Sequence, residues 1–159
     1  MNAWLYVHLA GVFGFLVAHG VSAAVGLKLR KERDPARARA LLDLSASTLN
    51  LANLSFLVLL IGGIGATSSE HVWDQGWPWA AIGVLIALVA LVPTLVVPYY
   101  KKVRTAVGAP GARGLMPAGE PASPEEIGRV LGSPIPIVIS VTGVAALAVL
   151  LWLMVYKPF

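Results

Sequence analysis

Apolar positions along the chain gather into four continuous stretches, roughly 3–27, 41–66, 77–100 and 134–156. A helix needs about 20 such residues to cross a hydrocarbon layer about 30 Å thick, and each stretch is long enough. A transmembrane barrel would instead show alternating segments of about 10 residues. The pattern therefore predicts an all-α fold, an integral membrane four-helix bundle forming one four-span domain over residues 1–159. The spans take most of the chain and leave no length for a separate soluble domain.

Polar and small residues punctuate these runs. In the first, Ala10, Gly14, Ala18, Ser22 and Gly26 recur at every fourth position. Such a ladder lets helix backbones approach closely in lipid, within one bundle or in a dimer. The second run starts polar, with Asp43, Ser45, Ser47, Thr48, Asn50, Asn53 and Ser55, and closes with Gly62, Gly63 and Gly65. Asp43, Ser47 and Asn50 share one helical face, which is expected to turn away from lipid because unpaired polar groups there are expensive. The third run contains Pro93 and Pro98, so its second half is expected to be kinked or broken around Thr94. Residues 105–124, rich in Gly, Pro and Ala, predict an irregular loop. Gly108, Gly111 and Gly114 lack the preceding strand and the following Gly-Lys-Ser/Thr of a phosphate cradle. Ser123-Pro124-Glu125-Glu126 then supplies an N-cap, a first-turn proline and a capping-box glutamate. It predicts a short amphipathic helix through Ile127, Val130 and Leu131 in the second cytoplasmic loop.

Charge adds an orientation. Of twelve Lys and Arg, six lie in 28–39, five in 101–129 and one is Lys157, while 67–76 holds none. Cytoplasmic loops carry the excess of Lys and Arg, so both basic segments are expected inside and both termini outside. Their side chains would meet anionic lipid headgroups. The net charge of +4 is thus a topology signal and implies no nucleic-acid partner. Trp4, Tyr6, Trp73, Trp77, Trp79, Trp152 and Tyr156 fall near the outer ends of the runs, and Tyr99 and Tyr100 near an inner end, as aromatic belts do. Charged residues make up 13%, against about 25% in soluble domains, and mean hydropathy is +0.77. The lipid bilayer is the first partner implied, and the cell membrane the expected location. The first run lacks the basic lead of a secretory signal and is expected to persist as a span. With no cysteine, thiolate metal sites, iron–sulfur clusters and disulfides are excluded.

Candidate chemistry rests on the histidines. His8 and His19 are the first run's only ionisable side chains, eleven residues apart. That spacing sets both imidazoles on one helical face, about 16 Å apart along the axis. Ionisable groups inside a membrane mark candidate sites. Gly62 and Gly63 match the depth of His8, leaving space for a planar cofactor or allowing close packing. His71, in the outer loop, could approach the same region. Haem takes axial ligands on opposite faces of its ring, which His8 and His19 cannot both supply from one helix. A second ligand would come from His71, a symmetry-related chain or another protein. Matched by depth, His19, Ser22, Asn50, Asn53, Thr94 and Ser140 form a polar layer. It reads either as hydrogen-bonded packing or as a small ligand, metal or proton site. No Ser-His-carboxylate set lies at one depth and no Gly-x-Ser-x-Gly occurs, so no catalytic residue is assigned.

The segment Leu5-Tyr6-Val7-His8-Leu9-Ala10-Gly11 resembles the opening helix of bacterial predicted integral membrane proteins of unassigned function. These are related to the copper-resistance protein D family and to HemJ-type protoporphyrinogen oxidases. Arg33-Asp34-Pro35 and the closing Met154-Val155-Tyr156-Lys157-Pro158 look like further parts of the same pattern. The resemblance implies a bacterial plasma membrane, haem b or copper as cofactor, and His8 as a haem-ligand candidate. The chain departs from that pattern where Gly14-Phe15-Leu16 replaces the usual Trp-x-Gly, and in lacking a second-helix histidine or membrane-embedded lysine. Two functions stay open: a small haem- or metal-binding membrane protein, or a non-catalytic structural or accessory subunit. Either could assemble as a homo-oligomer or within a larger membrane complex.

Overall fold

Lipid offers no partner for backbone N–H and C=O groups, so apolar runs of this length satisfy themselves as helices. The computed structural model describes residues 2–112 and 117–159; Gly114, named above, and Arg113, one of the five basic residues counted in 101–129, lie outside them. Among the described residues there are seven α-helices and no strand: α1 Ala3–Leu29, α2 Pro35–Ser47, α3 Leu49–Ser69, α4 Gly76–Leu91, α5 Val97–Ala106, α6 Pro124–Leu131 and α7 Ile135–Tyr156. Four helical stretches, Ala3–Leu29, Pro35–Ser69, Gly76–Ala106 and Pro124–Tyr156, are long and apolar enough to cross a membrane. The fold is the expected all-α membrane four-helix bundle.

Local chemistry explains where the helices start and break. Asp34 caps α2, its carboxylate accepting from the Ala36 N–H at 2.9 Å, with Pro35 in the first turn. The second span therefore starts six residues earlier than its apolar run. It breaks at Thr48, whose hydroxyl donates to the Ser45 carbonyl at 2.9 Å. Between α4 and α5 the chain makes one π-helical turn, Val92–Val96, which contains Pro93 and Thr94. Proline cannot donate to the ladder, and the wider turn absorbs the loss. Ser123 caps α6 by accepting from the Glu126 N–H at 3.3 Å. The Glu126 carboxylate pairs with Arg129 one turn on.

The chain divides into two compact units. The first comprises Met1–Gly20, Leu49–Ala90 and Thr142–Phe159. Here α1 packs on α3 through glycines. A Cβ on Gly11 would lie 2.6 Å from the Leu59 Cα, and one on Gly62 2.6 Å from the His8 Cα. Both distances are shorter than real Cβ contacts allow, so only glycine admits this approach. Val72, Trp77 and Ala81 pack with Leu153 of α7. Lys157 pairs with Glu70 at 3.0 Å and sits over the Trp77 ring at 5.6 Å, and the Phe159 oxygen accepts from the Gly76 and Trp77 N–H groups.

The second unit comprises Val21–Thr48 and Leu91–Val141. Its core is a conventional side-chain cluster including Val25, Leu29, Leu42, Tyr99, Val103, Val107, Ile127 and Leu131. Tyr99, expected at the lipid interface, is 3% exposed and belongs to this core. A π turn adds a residue to the helix and shifts the phase of every side chain after it, which accounts for its inward turn. Three of the basic residues donate to backbone carbonyls. Arg30 reaches Ser133 at 2.9 Å, Arg39 reaches Val107 at 2.6 Å, and Arg104 reaches Leu42 at 3.0 Å and Pro110 at 2.6 Å. Val107 and Gly132, the latter an acceptor from Arg30 at 3.4 Å, cap the C-terminal ends of α5 and α6. Their carbonyls have no intrahelical partner and attract cations. Arg39 and the chain at Gly119 crowd Gly108, whose φ of +66° needs a glycine. Among the described residues, 107–112 and 117–123 form neither helix nor strand, as the composition predicts, while α5 extends through Thr105 and Ala106.

Candidate functional site

His8 is placed by the small residues of α3. Because Gly62 lets the two backbones touch, the imidazole is carried against α3, where it is 8% exposed. Its Nδ1 lies 2.8 Å from the Leu59 carbonyl. A carbonyl can only accept, so Nδ1 carries a proton and donates; in the neutral ring the lone pair is then on Nε2. A Cβ on Gly63 would come within 3.0 Å of that same Nδ1. The two glycines thus serve the approach of the helices, and the room they could have left for a planar group is filled by α1 itself.

The other two histidines have different surroundings. His71 follows the end of α3 with φ +54°. Its N–H donates to the Ser68 carbonyl, and the Val72 N–H to that of Thr67, each at 3.3 Å. This is the left-handed Schellman ending of a helix, with buried Val72 as its apolar contact. His71 stands past Ser69, the last residue of α3, whereas His8 packs against Gly62 and Gly63. His19 is exposed, stacks on Phe15 with ring centroids 5.4 Å apart, and has its Nε2 turned toward Gly143 of α7. The three histidines therefore do not converge. Among the described residues no group of three or more His, Asp or Glu side chains could hold a metal ion. His8 and His19, on one helix about 16 Å apart along its axis, do not fit the two faces of one haem.

The polar layer is only partly assembled. Ser22 meets Ser45, whose hydroxyl donates to it at 3.1 Å, and Thr48 at 3.4 Å. The Tyr100 hydroxyl donates to the Ser22 carbonyl at 3.3 Å. This hydroxyl knot sits where the second span breaks. Ser140 is half-buried, and Thr94 lies exposed in the π turn. Asn50 and Asn53 are exposed on α3, with no hydrogen-bond partner for either amide among the described residues. Asp43 and Ser47 are exposed too, so the face expected to avoid lipid points outward. The reason is α3's choice of face: Ser55 and Gly62, the buried pair, give the closest approach to α1, and the amides lie on the far side.

The partners of Ser22 are Ser45, Thr48 and Tyr100, none of them expected in the polar layer. Ser45 could have been found from spacing, since Ala38, Leu42 and Ser45 follow the i, i+4, i+7 rhythm of a buried face and all three are buried. Comparison with protein-family models, with curated proteins and with solved structures finds no match.

Proposed function

We propose that this is a non-catalytic accessory subunit of the membrane, acting through helix contacts, in which His8 fastens α1 to α3. The observation that carries this reading is the seat of His8: Nδ1 is hydrogen-bonded to Leu59, and its ring lies against Gly62 and Gly63. Interhelical hydrogen bonds from histidine hold bundles together in lipid. A second reading is supported by the same bond. Ligating histidines usually donate their other ring N–H to an acceptor such as a carbonyl, and Nε2 of His8 is left basic. A haem iron or copper whose remaining ligands come from another chain would use that lone pair.

The two readings separate on purified protein. Wild type produced with haem and copper available, then purified in lipid, should show no Soret band and no stoichiometric metal. His8→Ala should keep its helix content but lose roughly 1 kcal/mol of stability for the missing bond. A Soret band or bound copper that disappears in His8→Ala but persists in His19→Ala would replace the accessory reading with the second. The proposal includes the orientation drawn from charge, in a bacterial plasma membrane. Cysteines placed at Ser69 and Ala112 should label from opposite sides of intact cells, and labelling from one side would overturn it.

A further inference from the structure

We infer that the outer face of α3 is a contact with a second copy of this chain, registered by Asn50 and Asn53. Counted at 1.5 Å per residue from Ala66, Asn53 lies about 20 Å and Asn50 about 24 Å into a hydrocarbon layer about 30 Å thick. Both side chains are exposed. A carboxamide has two donors and an acceptor, and hydrocarbon offers neither kind of partner. These amides therefore need a polar group from outside the chain, at their own depth.

A second copy supplies that group by symmetry. Eleven of twelve Lys and Arg lie in the two basic segments, a bias that inserts every copy the same way up. Across a two-fold axis along the membrane normal, the α3 helices of two copies run parallel, and equal depths meet. Asn50 then faces Asn50 of its twin, and an amide is complementary to itself. Asn50, Leu54, Leu57, Ile61 and Ile64 alternate steps of four and three, and all are exposed. That is the 3.5-residue repeat of a left-handed parallel seam, in which a single Asn fixes register and favours pairs. The seam lies opposite the Ser55 and Gly62 face that packs on α1, so pairing leaves the fold unchanged. The inference holds whether or not His8 carries a ligand.

The test uses the full chain in phosphatidylcholine–phosphatidylglycerol vesicles, over a protein-to-lipid dilution series. The protein has no cysteine, so single substitutions report directly. Leu57→Cys should oxidise to a disulfide-linked dimer, while Val144→Cys, more exposed but on α7, should stay monomeric. Energy transfer between labelled copies should give a dimer whose Kd rises about threefold in Asn50→Leu, the typical weight of an interhelical hydrogen bond in membranes. It should rise further in the Asn50→Leu, Asn53→Leu double variant, and Asn50→Gln, which keeps an amide, should stay near wild type. A monomer at every dilution, equal cross-linking at Leu57→Cys and Val144→Cys, or an unchanged Kd in the double variant would overturn the inference. So would cross-linking of Leu57→Cys in native membranes solely to a different protein. Helix content measured on each variant separates loss of pairing from loss of fold.

Discussion

The two units of this protein hold their helices by different means. The unit around Val21–Thr48 and Leu91–Val141 has a side-chain core and arginines anchored on carbonyls, as a water-soluble domain does. The unit around Leu49–Ala90 brings α1 onto α3 with glycines and a histidine, and leaves most large apolar side chains exposed. A difference of solvent would produce this contrast. Water rewards burial of leucine and valine, whereas lipid tails are as apolar as leucine and reward close backbone packing and interhelical hydrogen bonds.

That contrast can be broken by substitution. The largest effect is expected at Gly62. Gly62→Val would drive a side chain into the His8 backbone, which cannot rotate away, and should cost about 3 kcal/mol or prevent folding. Gly83→Ala, with nothing within 4 Å of its Cβ, should stay within about 1 kcal/mol of wild type. Equilibrium unfolding in mixed micelles measures both, and similar effects at the two positions would refute glycine-mediated packing.

Next comes Arg104, 6% exposed. Arg104→Met leaves the Leu42 and Pro110 carbonyls without their donor and should cost about 2–4 kcal/mol. Arg104→Lys should recover little, because one ammonium cannot reproduce a planar fork directed at two carbonyls. Full recovery by lysine would mean that its charge near Asp43, 3.6 Å away, matters more than its hydrogen bonds.

These residues also show how far the sequence could be read. Span number and helix type were legible because hydrophobic length alone decides them. The cap at Ser123 was legible because its chemistry is local, whereas Asp34-Pro35 offers the same chemistry and no helix start was expected there. The depth of a polar residue could be counted along the helix, but its facing could not, since rotation is set by which small residues touch a neighbour. Asn50 and Asn53 are exposed, on the side that was not expected. For the basic loops, counting charges gave an orientation, while the roles of Arg30 and Arg39 depended on helix ends far away in sequence.

Smaller effects sharpen the picture. Ser45→Ala removes one hydroxyl from the knot around Ser22 and should cost about 0.6 kcal/mol, measured by the same unfolding assay. The smallest concerns Glu32, in the loop between α1 and α2. Backbone N–H groups of Asp34 and then Arg33 hold its carboxyl below the usual value of 4.5. A depressed carboxylate stabilises the fold above its unfolded value, and the contribution is lost as pH falls through the lower folded one. Stability should therefore dip slightly below pH 4.5 in wild type and lose that part of the dip in Glu32→Gln. Identical acid profiles for the two proteins would contradict this.

Nitrogen NMR of the histidines, on protein made with haem and copper supplied and held in lipid, reads the seat of His8 directly. The account predicts a neutral ring with its proton on Nδ1, hydrogen-bonded to Leu59, and an Nε2 resonance typical of an unligated nitrogen. An Nε2 signal displaced or broadened by a bound metal would contradict it.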